Sequence, residues 1–177
     1  MILRNSKPKK TESKSTVLSH YDEAGQASMV DVSAKQLTRR TATASAFVEL
    51  SKAVLAAVPS NPKGNPLEVA RIAGIQAAKR TSELIPMCHP LALTHVDVRA
   101  KIVAGGVRIT ATAATTGPTG VEMEALTAAA VAALTVYDMT KALDKAIVIR
   151  NVQLEAKTGG KSGDYSRGSR QPSAPPS

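Results

Sequence analysis

The chain has 177 residues and a formal net charge of +9, from 23 Lys and Arg against 14 Asp and Glu. Hydrophobic residues make up 43% but aromatics only 2%, with no Trp, so a core must be built from small aliphatics. One Phe and three Tyr exclude the stacking platforms of single-strand nucleic-acid binders, and the lone Cys88 excludes an internal disulfide or a cysteine-rich zinc cage.

The charge is concentrated at the ends. Residues 1–15 carry a net +4 and residues 166–177 a net +2, which leaves +3 for the stretch between. Both ends are polar and contain Ser and Pro, too poor in apolar side chains to offset chain entropy. The expected organisation is a basic disordered tail over 1–18, one domain over 19–165 and a second tail over 166–177. Solvated tails are the ordinary reading of such charge runs, with an RNA- or membrane-attracted arm as the alternative. No apolar segment follows the basic start, so a signal peptide is not expected and a cytoplasmic location is. The longest apolar stretch, Ala125 to Tyr137, is too short to span a bilayer of about 30 Å.

In chain order, MVDVS at Met29 to Ser33 offers a short strand. From Ala42 to Val58, Phe47, Leu50, Val54 and Val58 fall at helical spacing, which predicts a helix ended by Pro59. PSNPKGNP, residues 59–66, is a loop whose single charge is Lys63. A second helix is predicted from Leu67 to about Leu84, after which Pro86 and Pro90 force Met87, Cys88 and His89 to be extended or turned. Val96, Val98, Ala100 and Ile102 alternate with polar residues, as do Val107, Ile109, Ala111 and Ala113, and Gly105-Gly106 between them predicts a hairpin. A long helix follows Gly120, and a further strand is predicted over Ile147 to Lys157, with Val152, Leu154 and Ala156 on one face. A tight hairpin and long helices together indicate an α+β fold, with helices laid on one face of an antiparallel sheet.

Several motifs could carry chemistry. KTGGKSGD, Lys157 to Asp164, contains GKS but has Glu155 where a phosphate-binding loop needs its first glycine. It can still cradle an anion through backbone N–H groups. Cys88 and His89 are adjacent, and His20 and His95 lie in unrelated contexts, so the three or four ligands of a zinc site are missing and no metal site is expected. Glu122 and Glu124 would diverge by about 200° on a helix and share a side only if extended. Both facing one site requires the helix to start near Glu124; the plainer reading is two acids complementing a helix N-terminus. Asp138 and Lys141, at i and i+3, can pair. At the end of an apolar helix, partial burial could bring either pKa toward neutrality, as acid–base chemistry requires.

Four separated segments, MVDVSAK, ARIAGIQAAKRTSELIPMCHPL, TGVEMEALTAAAVAALTVYDMTKA and KTGGKSGD, resemble the cyclic pyranopterin monophosphate synthases of molybdenum cofactor biosynthesis. The resemblance covers roughly residues 19–165. It implies a ferredoxin-like α+β lyase that takes a cyclised dihydroguanosine triphosphate to cyclic pyranopterin monophosphate and pyrophosphate. It makes Asp138 the catalytic carboxylate, with Lys141 and Lys63 as acid–base groups. Met87, Cys88, His89, Met123 and Glu124 match its substrate-binding segments, and Lys35, Arg40, Lys79, Glu122 and Lys157 complete the expected pocket. No resident cofactor is implied, although Mg²⁺ could accompany the triphosphate. The implied assembly is a homohexamer, a trimer of dimers, with no nucleic-acid or membrane partner. Two positions depart from the family pattern: Thr140 stands where a Cys is usual, and Pro118 where a basic residue is common. The rival reading is a small basic domain that holds nucleotides or RNA, with Asp138 and Lys141 as ordinary surface charges; a homologue without activity is a third.

Overall fold

A computed structural model of the chain describes residues 25–169. The chain divides into two compact units, residues 1–30 and 31–177. The first is described only over 25–30; the tail expected over 1–18, and residues 170–177 of the tail expected over 166–177, lie outside the described residues. The second unit carries the sheet and helices. Where a strand was expected at Met29 to Ser33, none forms. Asp31 Oδ1 instead accepts hydrogen bonds from Ser33 N (2.9 Å) and Ser33 Oγ (2.7 Å), which closes a local turn.

Thr38–Glu49 is strand β1, which corrects the expected helix. Ala42, Ala44, Ala46 and Val48 are buried, while Thr43, Ser45 and Phe47 lie on the half-buried opposite face. Period two therefore governs this segment. The helical spacing misleads because alanine marks the core face only weakly and the bulkiest residue, Phe47, sits on the other one. Only Lys52–Ala57 (α1) is helical, started by Ser51 Oγ accepting from Val54 N, and Pro59 lies in the 3-10 turn that follows.

The predicted Leu67 to Leu84 helix is two helices, Pro66–Lys79 (α2) and Thr81–Leu84 (α3), because Arg80 leaves helical geometry at φ −113°, ψ 15°. Asn65 caps α2 by accepting from Leu67 N and Glu68 N, with Pro66 in the first turn. Strands Leu93–Val103 (β2) and Gly106–Gly117 (β3) form the predicted hairpin, but its turn is Ala104-Gly105, one residue earlier than expected. Gly105 supplies a φ of +78°. Gly106 belongs to β3, and its α-carbon passes so close to β1 that a Cβ there would lie 2.1 Å from Val48 O.

Helix α4, Glu122–Thr140, buries Ala125, Ala128, Ala129, Ala132, Ala133 and Val136, an apolar stripe at i, i+3 and i+4. Val148–Thr158 (β4) pairs with the other edge of β1. Two register shifts break its alternation, Asn151 takes φ 55°, and Val152 ends up exposed rather than facing the core with Leu154. Tyr165–Ser166 (β5) then pairs with β4, so the expected domain boundary at 165 falls inside this pair.

The strand order is β2-β3-β1-β4-β5, antiparallel throughout. With β1, α2, β2, β3, α4 and β4 in sequence, this is the expected α+β, ferredoxin-like arrangement, helices α2 and α4 covering one face. The core is alanine and valine with one fully buried Ile109, as a chain without Trp requires.

Two glycine substitutions should separate close approach from turn strain. Gly106→Ala must push β3 from β1 and should cost about 2–3 kcal/mol in urea unfolding. Gly105→Ala has open space around it and should cost about 1 kcal/mol for its positive φ. Equal losses would contradict the close approach.

Candidate functional site

The N-terminal end of α4 borders a cavity of about 750 Å³. Lys35, Arg40, Lys157 and Lys161 line it against one carboxylate, Glu122. Arg40 rises from β1 and donates from Nε to Gly117 O (3.0 Å) and from Nη2 to Pro118 O (3.1 Å). The segment that lost a basic residue at Pro118 thus still serves the cavity, as the carbonyl anchor of an arginine. Lys157 Nζ sits 2.9 Å from Glu122 Oε1 and 3.1 Å from Ser162 Oγ, so it is held rather than free. Thr38 Oγ1, buried without a hydrogen-bond partner, also belongs to a cavity-lining residue.

The KTGGKSGD turn closes this cavity through Gly159, Gly160, Lys161 and Ser162. Gly159 and Gly160 have φ near +83°, and a Cβ on Gly160 would meet the Arg40 guanidinium at 2.3 Å. Asp164 Oδ1 holds Gly159 N at 3.0 Å. Lys161, which is not among the expected site residues, joins the cavity with this anion-cradling turn, and its place in a two-lysine glycine turn is the signal that points to it.

At the C-terminal end of the same helix, Lys141 Nζ lies 2.7 Å from Asp138 Oδ1. Lys63 joins them from the loop before α2, its Nζ 3.5 Å from Asp138 O. All three expected acid–base groups therefore gather. Their titration differs from the expectation, however. The Lys141 ammonium, then Lys63, hold the Asp138 carboxyl below its usual range, and Asp138 raises Lys141. More than half of each side chain in the pair is exposed, so the pairing outweighs the small desolvation that opposes it and both pKa values move away from neutrality.

Helix α4 begins at Glu122, so the two glutamates diverge. Glu122 meets Lys157 in the cavity, whereas Glu124 is buried at 4% exposure. Burial raises the Glu124 pKa, its own backbone N–H partly offsets this, and Glu122 adds a smaller rise. Cys88 is half-buried with its thiol pushed up, first by burial and then by the Glu124 charge, which sets Glu124 beside the Met87-Cys88-His89 segment. That segment leaves α3 through a turn, Cys88 N donating to Ile85 O at 3.0 Å, and then runs without regular structure, as the flanking prolines require. Met123, the next side chain on α4, is 37% exposed.

Within one chain the expected site residues thus fall into separate places. Lys35, Arg40, Glu122 and Lys157 share the cavity; Met87, Cys88, His89 and Glu124 lie near the same end of α4; Asp138, Lys141 and Lys63 occupy the other end. Lys79 is exposed and opens on a third place, a 480 Å³ groove with His95 and Leu93 between α2 and β2. Glu124 and Asp138, 14 residues apart on one helix, are separated by about 21 Å. Among the described residues no three His, Cys, Asp or Glu side chains gather as a metal site would, and no helix is long and apolar enough to cross a membrane.

The sequence matches the profile of the MoaC family over residues 29–160. Similar proteins include the cyclic pyranopterin monophosphate synthase of Parvibaculum lavamentivorans, 55% identical over 152 residues that cover 84% of this chain and 95% of the relative. That of Streptomyces griseus is 57% identical, covering 85% and 86%. That of Staphylococcus aureus strain MSSA476 is 51% identical over 163 residues, covering 88% and 99%.

Burial of Glu124 has a consequence for stability. A carboxyl whose pKa is higher folded than unfolded leaves the folded state holding more protons between the two values. Stability therefore falls as pH rises from the ordinary 4.5 toward the raised value and does not recover above it. Glu124→Gln should raise Tm by a few degrees at pH 7.5, with the gap closing near pH 4. A variant whose Tm tracks the parent at both pH values would contradict the burial.

Proposed function

The chain belongs to the MoaC family, and on that premise we propose that it is a lyase of molybdenum cofactor biosynthesis. It converts (8S)-3',8-cyclo-7,8-dihydroguanosine 5'-triphosphate to cyclic pyranopterin monophosphate and pyrophosphate. The observation that carries the reading is the pairing of two features on one helix: a cationic cavity at the N-terminal end of α4 and an Asp138-Lys141-Lys63 cluster at the other.

A triphosphate carries several negative charges; of the four cavity cations, Arg40 and Lys157 are fixed by carbonyl and hydroxyl partners and so are pre-organised for them. Lys35, Arg40, Lys157 and Lys161 bind the phosphates. Met87, Cys88, His89, Met123 and Glu124 hold the purine-derived ring, whose donors and acceptors suit a carboxyl and an imidazole. Opening and rearranging that ring moves protons, and the last step forms a P–O bond from a ribose-derived hydroxyl to the α-phosphorus as the bond to pyrophosphate breaks. Ionised Asp138 is the group to accept a proton, and the protonated Lys141 the group to donate one, with Lys63 beside them as a further acid–base group. Any Mg²⁺ enters with the triphosphate as a counter-charge.

One small substrate does not reach both ends of a helix separated by about 21 Å. Each site is therefore completed by a second copy of the chain, in keeping with a homo-oligomer, a hexamer built as a trimer of dimers. Covering the exposed Asp138-Lys141 pair with a second subunit would desolvate it, pushing the carboxyl up and the ammonium down toward working values. The reaction is that of a cytoplasmic enzyme on a small molecule, with no role for nucleic acid or membrane.

Asp138→Asn and Lys141→Ala should each lower the rate of pyrophosphate release by about 10²- to 10⁴-fold with an unchanged circular dichroism spectrum. Arg40→Ala should chiefly raise KM. Wild-type rates in the first two variants would favour the binding-module reading, and a chain that sediments as an active monomer would contradict the shared site.

A further inference from the structure

The loop that delivers Lys63 is tied down by a side chain that the reaction does not itself require. Asn61 is half-buried after the 3-10 turn Val58–Ser60, and its side chain makes two hydrogen bonds in opposite directions. Its Nδ2 donates to Met139 O at 2.8 Å, and its Oδ1 accepts from Lys63 N at 2.9 Å. Its backbone carbonyl also accepts from Gly64 N at 3.0 Å, closing a β-turn with Pro62 second and Gly64 last, where both residues are favoured. Asn65 then starts α2 immediately afterwards, so the span between these two anchors is only Pro62-Lys63-Gly64.

Met139 lies between Asp138 and Lys141 in sequence, and its carbonyl belongs to the last turn of α4. One amide group therefore bridges the backbone of the acid–base helix end to the backbone of Lys63. The Lys63 ammonium lands 3.5 Å from Asp138 O, at the negative end of the helix, where a cation is favoured. Lys63 is exposed and nothing else described in its own loop fixes its direction.

We infer that Asn61 is a positioning residue for the reaction: it sets Lys63 against the Asp138-Lys141 pair by bridging Met139 O and Lys63 N. The inference rests on the reading of Asp138, Lys141 and Lys63 as the reacting cluster. Asn61 touches no reacting atom and acts only through Lys63. A displacement of about 1 Å in a reacting group can cost about a hundredfold in rate, so loss of the bridge acts on turnover rather than on substrate capture.

The test is a double-mutant cycle on the full chain, read as pyrophosphate release from the cyclised triphosphate. Asn61→Ala should lower kcat about 10- to 100-fold with KM held within about twofold. In a Lys63→Ala background the same substitution should change kcat by less than about twofold. Losses that add in the double variant would overturn the inference, because Asn61 would then act independently of Lys63. Asn61→Asp keeps the acceptor for Lys63 N and removes the donor to Met139 O; it too should be silent without Lys63, and it serves if the alanine variant fails to fold. A readout free of activity is the backbone order parameter at Lys63, expected near 0.85 in the parent and below about 0.6 in Asn61→Ala. An unchanged order parameter also overturns the inference. If the parent releases no pyrophosphate the functional reading fails, and the order parameters alone decide the placement.

Discussion

Close packing of small residues along α4 is the constraint on which the rest of the molecule depends. Ala128 and Ala132 face Gly74 of α2, where an added Cβ would lie 2.9 Å from Ala128 O and 3.2 Å from Ala132 Cβ. The same helix lays Ala125, Ala129 and Ala133 into a core whose strands contribute Ala42, Ala44, Ala46, Ala111 and Ala113. Interiors pack to near-crystalline density, so helices faced with alanine and glycine must come close, and larger side chains at these positions would force layers apart. A chain with four aromatic rings has little choice but this solution. It yields a well-packed α4 of 19 residues, about 28 Å long.

That length divides the chemistry. At the N-terminal end Glu122 is paired with Lys157 beside a cationic cavity, and Glu124 is driven into the core where its neutral form is favoured. At the far end Asp138 and Lys141 stay in solvent and hold each other ionised. A lone subunit thus has an anion site and an acid–base pair that cannot meet. On the proposed reading, a second subunit would supply both the missing distance and the missing desolvation. Two side chains are anchored by backbone carbonyls of neighbouring elements: Gly117 and Pro118 hold Arg40 of β1, and Met139 holds Asn61 of the loop before α2.

Much of this was legible in the sequence. The β2-β3 hairpin follows from strict alternation of branched residues, α4 from its unbroken apolar run, and the α+β, ferredoxin-like architecture from their order together with the family resemblance. Strand β1 was not legible from helical spacing because its core face is alanine, whose weak hydrophobic signal is outweighed by Phe47 on the opposite face. The bulged β4 defeated simple alternation for a different reason: each extra residue flips the side chains beyond it. Spacing paired Asp138 with Lys141, the family resemblance added Lys63, and the structure brings the three together. The shifts of Asp138 and Lys141 away from neutrality could not be read from spacing, since burial depends on what covers a helix end. Asn61 carries no motif; only the fold shows that its amide meets Met139 O.

The central claim, that a working site takes Glu124 from one chain and Asp138 from another, is tested most directly by mixing two inactive variants. Glu124→Ala and Asp138→Asn, unfolded together and refolded as mixed oligomers, should recover about a quarter of parental turnover, because a quarter of shared sites then contain both intact residues. Each variant refolded alone should stay inactive. A mixture as inactive as its components would show that both residues are required within one chain, and the shared site would be wrong.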